Sequence, residues 1–173
     1  MTTISFAPHV ATAMKLAVTY VPVKYMEYAI MGVMGVGALP KFTGALNKEF
    51  PMLPNWFWFP CGLFEVTSIT LLLFAAQFSA HLGMPTEKIA SIGLYMNYAY
   101  LGGTLCSTTV LKFLPPGAIF SCLCAVFCSV IADTRHKIAT TDVHMACMAG
   151  GFVAGIFFGV VLAKPKVDKK KSG

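Results

Sequence analysis

The chain has 173 residues, of which 57% are hydrophobic and only 12% are charged. Soluble globular domains carry roughly 25% charged residues, so this composition excludes an ordinary soluble domain and predicts an integral membrane protein. The formal net charge of +6 comes largely from the last ten residues, which indicates contact with lipid rather than with nucleic acid.

Residues 1–22 form the first predicted element, a mildly amphipathic stretch in which Pro8 and Pro22 limit any helix. A secretory signal peptide would place a basic region before a compact apolar core, and this stretch does not follow that order. We therefore expect an N-terminal segment that lies along the membrane surface.

Five apolar segments follow, and their lengths suit membrane-crossing helices, because about 20 residues span a hydrocarbon core of roughly 30 Å. The segments are residues 23–40, 56–80, 88–111, 116–132 and 144–163. The fourth is the shortest, and Pro115, Pro116 and Gly117 interrupt the helical pattern before it. We expect an all-α fold, a single polytopic transmembrane bundle over residues 23–163 with five membrane-spanning helices. Four spans plus a kinked or re-entrant piece is the alternative.

Two acidic residues fall in these segments, and the first, Glu27, follows Lys24 by three residues near the start of the first span. That spacing predicts a local ion pair at the membrane interface. Glu65 lies deeper in the second span, roughly 12 Å from the interfacial Trp56 and Trp58 at helical rise. An unpaired charge there costs about 2.5–3.5 kcal/mol.

Glu65 is therefore expected to face protein and to find a polar partner. Lys41 at the end of the first span and Asn97 or Tyr98 in the third span are the candidates, together with hydroxyl groups on its own helix. A structural hydrogen bond is the favoured interpretation. Proton relay or contact with a ligand is the alternative.

The last apolar segment carries a stripe of small residues, one every four positions. Such stripes allow helices to approach closely in lipid, and this one predicts a helix-packing face. Its members are Cys147, Gly151, Gly155, Gly159 and Ala163. The partner helix belongs either to this chain, where Gly32, Gly35 and Gly37 form a weaker counterpart, or to another protein.

Residues 164–173 form a basic tail that we expect to contact lipid head groups. The lysines are Lys164, Lys166, Lys169, Lys170 and Lys171. The last two also have the form of a dilysine retrieval signal of the endoplasmic reticulum.

The sequence predicts no catalytic residue, no metal site and no intrinsic cofactor. Its six cysteines lie in apolar segments without a metal-binding spacing, and small apolar packing is their favoured role. His144 is the best of four histidines for a haem ligand, although an interfacial hydrogen bond is the favoured interpretation of it.

Two motifs in the first half of the chain resemble a known family. "GVGALPKFTG" closes the first predicted span and "GLFEVTSITLLL" opens the second. With Gly37 and Lys41 in one and Gly62 and Glu65 in the other, residues 25–80 resemble the DoxX-like membrane proteins. The resemblance implies a compact four-helix bundle that works beside partners. Some members are small subunits linked to thiol or thiosulfate-quinone oxidoreductases, and others are endoplasmic reticulum proteins that assist channel assembly.

Together these features predict a non-catalytic accessory or assembly subunit of a larger membrane complex, with a respiratory-type electron-transfer complex favoured. The expected partners are membrane lipid and other membrane-protein subunits. The alternatives are a DoxX-like bundle that binds quinone, lipid or another apolar ligand in redox or transport, and an assembly chaperone of the endoplasmic reticulum. The mitochondrial inner membrane is the favoured location, ahead of the endoplasmic reticulum, the thylakoid and the bacterial plasma membrane.

Overall fold

The computed structural model describes residues 7–46, 53–109 and 115–161. Within these ranges the regular structure is entirely helical, which confirms the predicted all-α class. A 3-10 turn, Asn55–Phe57, precedes the third of seven α-helices. The helices are α1 (Ala7–Tyr20), α2 (Val23–Phe42), α3 (Trp58–Leu73), α4 (Ala75–Leu82), α5 (Thr86–Thr109), α6 (Pro115–His136) and α7 (Asp142–Val161).

Prolines set the start of several helices. Pro22 directly precedes α2, Pro85 directly precedes α5, and Pro115 and Pro116 occupy the first turn of α6. The amide groups of a first turn have no partner within the helix, so proline is tolerated there. The Pro115–Gly117 stretch is thus the beginning of α6, which continues to His136, four residues beyond the predicted segment.

The second predicted segment, residues 56–80, is broken into two helices at Phe74, whose φ of −113° and ψ of 27° are not helical. The break leaves the carbonyl of Leu72 accessible to a side chain, and Nε2 of His136 lies 2.9 Å from it. Gly83, with a φ of 65°, ends α4 in the left-handed conformation that glycine adopts readily.

Helix α5 lies at the centre of the fold, in contact with α3, α4, α6 and α7, while α2 packs on α3 and α6, and α1 packs on α6. The start of α2 meets the end of α6, and the start of α7 meets the first half of α5. The largest fully buried apolar side chains come from four of these helices: Met26, Ile30, Leu72, Ile89, Leu94, Tyr98, Val130 and Ile131.

One end of the bundle collects exposed charged residues. It is the end at which α2, α5 and α7 begin and α6 finishes, and we refer to it as the charged end. Its exposed charged side chains are Lys24, Glu87, Lys88, Asp133, Arg135, Lys137 and Asp142.

Two helices in the described part of the chain are long and apolar enough to cross a membrane, judged by length and composition: Asn55–Leu73 and Asp142–Val161. The second is α7, and only 6% of its most apolar window is buried. Val153, Phe157 and Val160 on α7 are each more than half exposed. Apolar residues so exposed along one face of a helix are expected in a protein surrounded by lipid or by other helices.

Candidate functional site

Glu65 lies where α2, α3 and α5 meet and is 3% exposed. Two glycines allow this close approach of α2 and α3. A Cβ atom on Gly62 would lie 3.1 Å from the Cβ of Lys41 and from the ring of Phe42, and one on Gly37 would lie 2.5 Å from Glu65 Oε1. The carboxylate of Glu65 therefore occupies space that a side chain at position 37 would fill.

The ammonium group of Lys41 bridges the three helices. Its Nζ forms an ion pair with Glu65 Oε2 and donates to the hydroxyl of Tyr100 at 2.6 Å and to the carbonyl of Gly37 at 2.9 Å. An ammonium group has three hydrogens to donate, so these three acceptors satisfy it. We refer to Lys41, Glu65 and Tyr100 as the triad.

The structure places the other predicted partners of Glu65 elsewhere. Asn97 is 2% exposed on α5, and within the described residues its Oδ1 has no hydrogen-bond partner. Tyr98 turns toward α6 and lies 2.6 Å from Ser129 Oγ. Ser68 donates to the backbone carbonyl of Glu65 rather than to its carboxylate. Tyr100 was not predicted, because the sequence does not fix which face of α5 meets α3.

The predicted local pair of Lys24 and Glu27 is wrong. Glu27, which is 8% exposed, accepts a bond of 2.5 Å from Arg135 at the end of α6, whereas the Nζ of Lys24 lies 5.7 Å from the ring centre of Tyr28. The neighbouring His136 contacts the carbonyl of Leu72. The end of α6 is thus tied to both α2 and α3 by polar side chains.

The small-residue stripe of α7 packs on α5 within this chain. A Cβ atom on Gly151 would overlap the carbonyl of Ala99, and one on Gly102 of α5 would overlap the carbonyl of Met148. One on Gly155 would lie 3.0 Å from the Cβ of Cys106. The intramolecular partner of the stripe is therefore α5 and not the first predicted span.

The remaining residues of the two small-residue stripes and of the basic tail lie partly buried, exposed or outside the described residues. Cys147 and Gly159 of the stripe are partly buried on α7, and Gly32 and Gly35 of α2 meet nothing within 4 Å. Ala163 and the lysines of the basic tail lie outside the described residues.

His144 is buried at the start of α7, with 1% of its surface exposed. Its ring stacks on Tyr95 with centroids 4.6 Å apart, and its Nδ1 accepts the backbone N–H of Thr141 at 3.0 Å. Because Nδ1 is the acceptor, a neutral imidazole carries its proton on Nε2. In this arrangement Nε2 is a hydrogen-bond donor and presents no lone pair to a metal.

Within residues 7–46, 53–109 and 115–161, the structure contains no group of three His, Cys, Asp or Glu side chains that could hold a metal ion. Two cavities in this part of the chain are lined by residues outside the triad. One lies between α1 and α6, the other between α2 and α6, and neither is lined by Glu65. The triad is thus a closed polar contact between three helices.

In comparisons with known proteins, no family model matched the chain, and no curated protein or solved structure gave a significant match.

Proposed function

We propose that this chain is a polytopic membrane protein with four to five spans that serves as a non-catalytic accessory or assembly subunit of a larger membrane complex. A respiratory-type electron-transfer complex of the mitochondrial inner membrane is the favoured host. The observation that carries the non-catalytic role is the closure of the triad, in which every donor of the Lys41 ammonium is used within the bundle.

A carboxylate that bound a ligand or relayed protons would need a path for the ligand or for water. Glu65 is 3% exposed, and it lines neither the cavity between α1 and α6 nor the cavity between α2 and α6. A charge at this depth is tolerated when it is paired and hydrogen-bonded. The triad meets that condition and acts as a polar link between α2, α3 and α5.

The glycines of the bundle support a role beside other helices. Gly37, Gly62 and Gly93 each face another helix of this chain at close range. Gly32 and Gly35 on α2 are exposed and meet nothing within 4 Å. In membranes, small residues mark the faces at which helices approach closely, so this open face of α2 is where we expect a helix of a partner subunit.

We also propose that the chain is related to the DoxX-like proteins. The support is geometric, since the residues of the two motifs meet in the fold. Gly37 and Lys41 of the first motif contact Glu65 of the second, and Gly62 packs against Lys41. Two sequence motifs whose residues contact each other in the fold are expected to occur together in related proteins.

A DoxX-like bundle that binds quinone, lipid or another apolar ligand is the second candidate, and Asn97 favours it. Its Oδ1 is buried without a hydrogen-bond partner among the described residues, three positions before Tyr100 on α5. Buried polar atoms are usually satisfied, so a ligand hydroxyl that donates to this oxygen would remove an unfavourable desolvation cost.

Purification from native membranes in a mild detergent, followed by native electrophoresis and mass spectrometry, tests the proposal. We expect the protein to migrate with a defined set of other membrane subunits. Gly35→Phe should release these subunits while leaving the thermal unfolding of the chain itself unchanged, and Val153→Phe, an exposed site on α7, is the matched control. A monodisperse lone protein that carries quinone would overturn the subunit role in favour of the second candidate.

A further inference from the structure

The cavity between α1 and α6 has features of a lipid-binding site. It has a volume of about 520 Å³ and is open at the surface. Ligand sites usually fall between about 300 and 1,000 Å³. Lys15 and Thr19 of α1 line one side, Asp133 and Thr134 of α6 line the other, and Thr140 of the α6–α7 connection also contributes to the lining.

Charges of both signs face this cavity without neutralising each other. Within the described residues, neither the ammonium group of Lys15 nor the carboxylate of Asp133 has an ion-pair partner. The nearby Lys137 directs its Nζ to the carbonyl of Thr134, at 3.5 Å. The hydroxyl of Thr140 is buried and interacts with the side chain of Tyr98. The cavity therefore offers a cation and an anion to an occupant.

The remaining lining is aliphatic or small, with Met14 and Val18 on α1 and Val130 on α6. The cavity also lies at the charged end of the bundle, because Asp133 and Thr134 are in the last turn of α6 beside Arg135. An apolar wall next to a pair of opposite charges at this position matches an amphiphile whose head group is zwitterionic and whose chains enter the membrane.

We propose that this cavity binds the head group of a phospholipid with a primary amine, phosphatidylethanolamine. The lipid phosphate accepts charge-assisted hydrogen bonds from Lys15, and the lipid ammonium donates to Asp133. Two other head groups fit less well. The quaternary ammonium of phosphatidylcholine has no N–H to donate and is recognised by aromatic rings, and none of the residues lining the cavity is aromatic. Phosphatidylglycerol presents the same phosphate to Lys15 but has no ammonium group to pair with Asp133, so the carboxylate would stay unpaired.

The inference requires that the protein resides in a membrane but does not depend on its being a subunit of a complex. The test uses the full chain, purified and incubated in micelles that contain equal amounts of phosphatidylethanolamine and phosphatidylcholine with matched acyl chains. Native mass spectrometry then measures the ratio of the two bound lipids. We expect at least a tenfold preference for phosphatidylethanolamine.

Two variants test the contact with the lipid amine and the contact with the lipid phosphate separately. Asp133→Asn should reduce the preference to near unity, because the amine loses its charged acceptor, and Lys15→Gln should reduce binding of both lipids by about the same factor. Lys24→Gln and Glu87→Gln, exposed charges outside the cavity, are the matched controls and should leave the ratio unchanged. Ala139→Trp, which fills the cavity without altering charge, should abolish the preference.

Equal retention of the two lipids by the natural chain would overturn the proposal. A preference for phosphatidylglycerol over phosphatidylethanolamine would do the same, and so would a preference that survives Asp133→Asn. Because these outcomes are read from bound lipid and not from co-purifying proteins, they are independent of whether the chain proves to be a subunit.

Discussion

Gly37 on α2 lies directly against the carboxylate of Glu65 on α3, with room for a hydrogen but not for a methyl group. A Cβ atom at position 37 would lie 2.5 Å from Glu65 Oε1, whereas one at Gly35, two residues earlier on the same helix, would meet nothing within 4 Å. The two glycines thus differ in tertiary contact but share a helix, so comparing them separates packing from helix propensity.

Gly37→Ala should lower the free energy of unfolding by about 1–3 kcal/mol, because the added methyl group forces Glu65 away from Lys41 or separates the helices. Gly35→Ala should leave stability unchanged or raise it by up to about 1 kcal/mol, since alanine favours the helix more than glycine does. Circular dichroism during denaturation in mixed micelles measures both. Equal effects of the two substitutions would contradict the close contact with Glu65.

The ion pair of Lys41 and Glu65 should behave as a unit. Lys41→Met leaves a buried carboxylate without its partner, which costs about 3–5 kcal/mol. The double variant Lys41→Met/Glu65→Leu should recover most of this loss, because an apolar pair of similar volume is often neutral to stability. Lys24→Met, at an exposed lysine, is the control. Simple addition of the two single effects in a double-mutant cycle would argue against direct pairing.

The sequence predicts Glu65 and its candidate partner Lys41, two residues of the triad, but it does not predict the third, Tyr100. The apolar composition predicts the all-α fold, and the depth of Glu65 in its segment predicts an internal partner, for which Lys41 was one candidate. Asn97, Tyr98 and Tyr100 are all polar residues within a single turn of α5, and they cannot be ranked without the rotation of that helix. The packing of Gly93 against α3 fixes that rotation, and it is a tertiary contact.

Long-range contacts explain the other differences. Lys24 and Glu27 are three positions apart and predict a local pair, but Glu27 binds Arg135, which is 108 residues away. The stripe on α7 correctly suggests close packing in general, yet its partner residue Gly102 lies in α5, where two consecutive glycines give no periodic pattern. Spacing along one helix reveals a face but does not identify what covers it.

The pair of Glu27 and Arg135 should stabilise the junction of α2 and α6. Arg135→Met leaves the nearly buried carboxylate of Glu27 without this partner, and we expect a loss of about 1–3 kcal/mol in the free energy of unfolding. Lys137→Met, at an exposed residue two positions later that forms no ion pair in the described structure, should have little effect. Thermal unfolding of the purified variants distinguishes the two. Equal melting temperatures would show that the pair contributes nothing measurable.

Consecutive glycines on α7 offer a second matched pair. Gly151→Ala places a methyl group on the backbone carbonyl of Ala99 and should separate α5 from α7, with a loss of about 1–3 kcal/mol or more. Gly150→Ala meets nothing within 4 Å and should be neutral or stabilising. Cysteine cross-linking between α5 and α7, together with denaturation, reports the separation. A destabilising Gly150→Ala would instead indicate a partner on the outer face of α7.

His144 should act as a cap for α7 through its acceptor nitrogen. Thr141 directly precedes the helix, and His144 is the third residue of the helix. The backbone N–H of Thr141 donates to Nδ1 of His144 at 3.0 Å. In a capping box, glutamate or glutamine at this third position accepts the same bond. His144→Leu removes this acceptor and should cost about 1–3 kcal/mol. His144→Gln restores an acceptor and should lose only the ring contacts with Tyr95 and Tyr98, about 0.5–1.5 kcal/mol each. The protection of the Thr141 amide against hydrogen exchange measures directly whether this capping hydrogen bond is formed. Protection in the leucine variant equal to that in the glutamine variant would place the role of His144 in its ring packing instead.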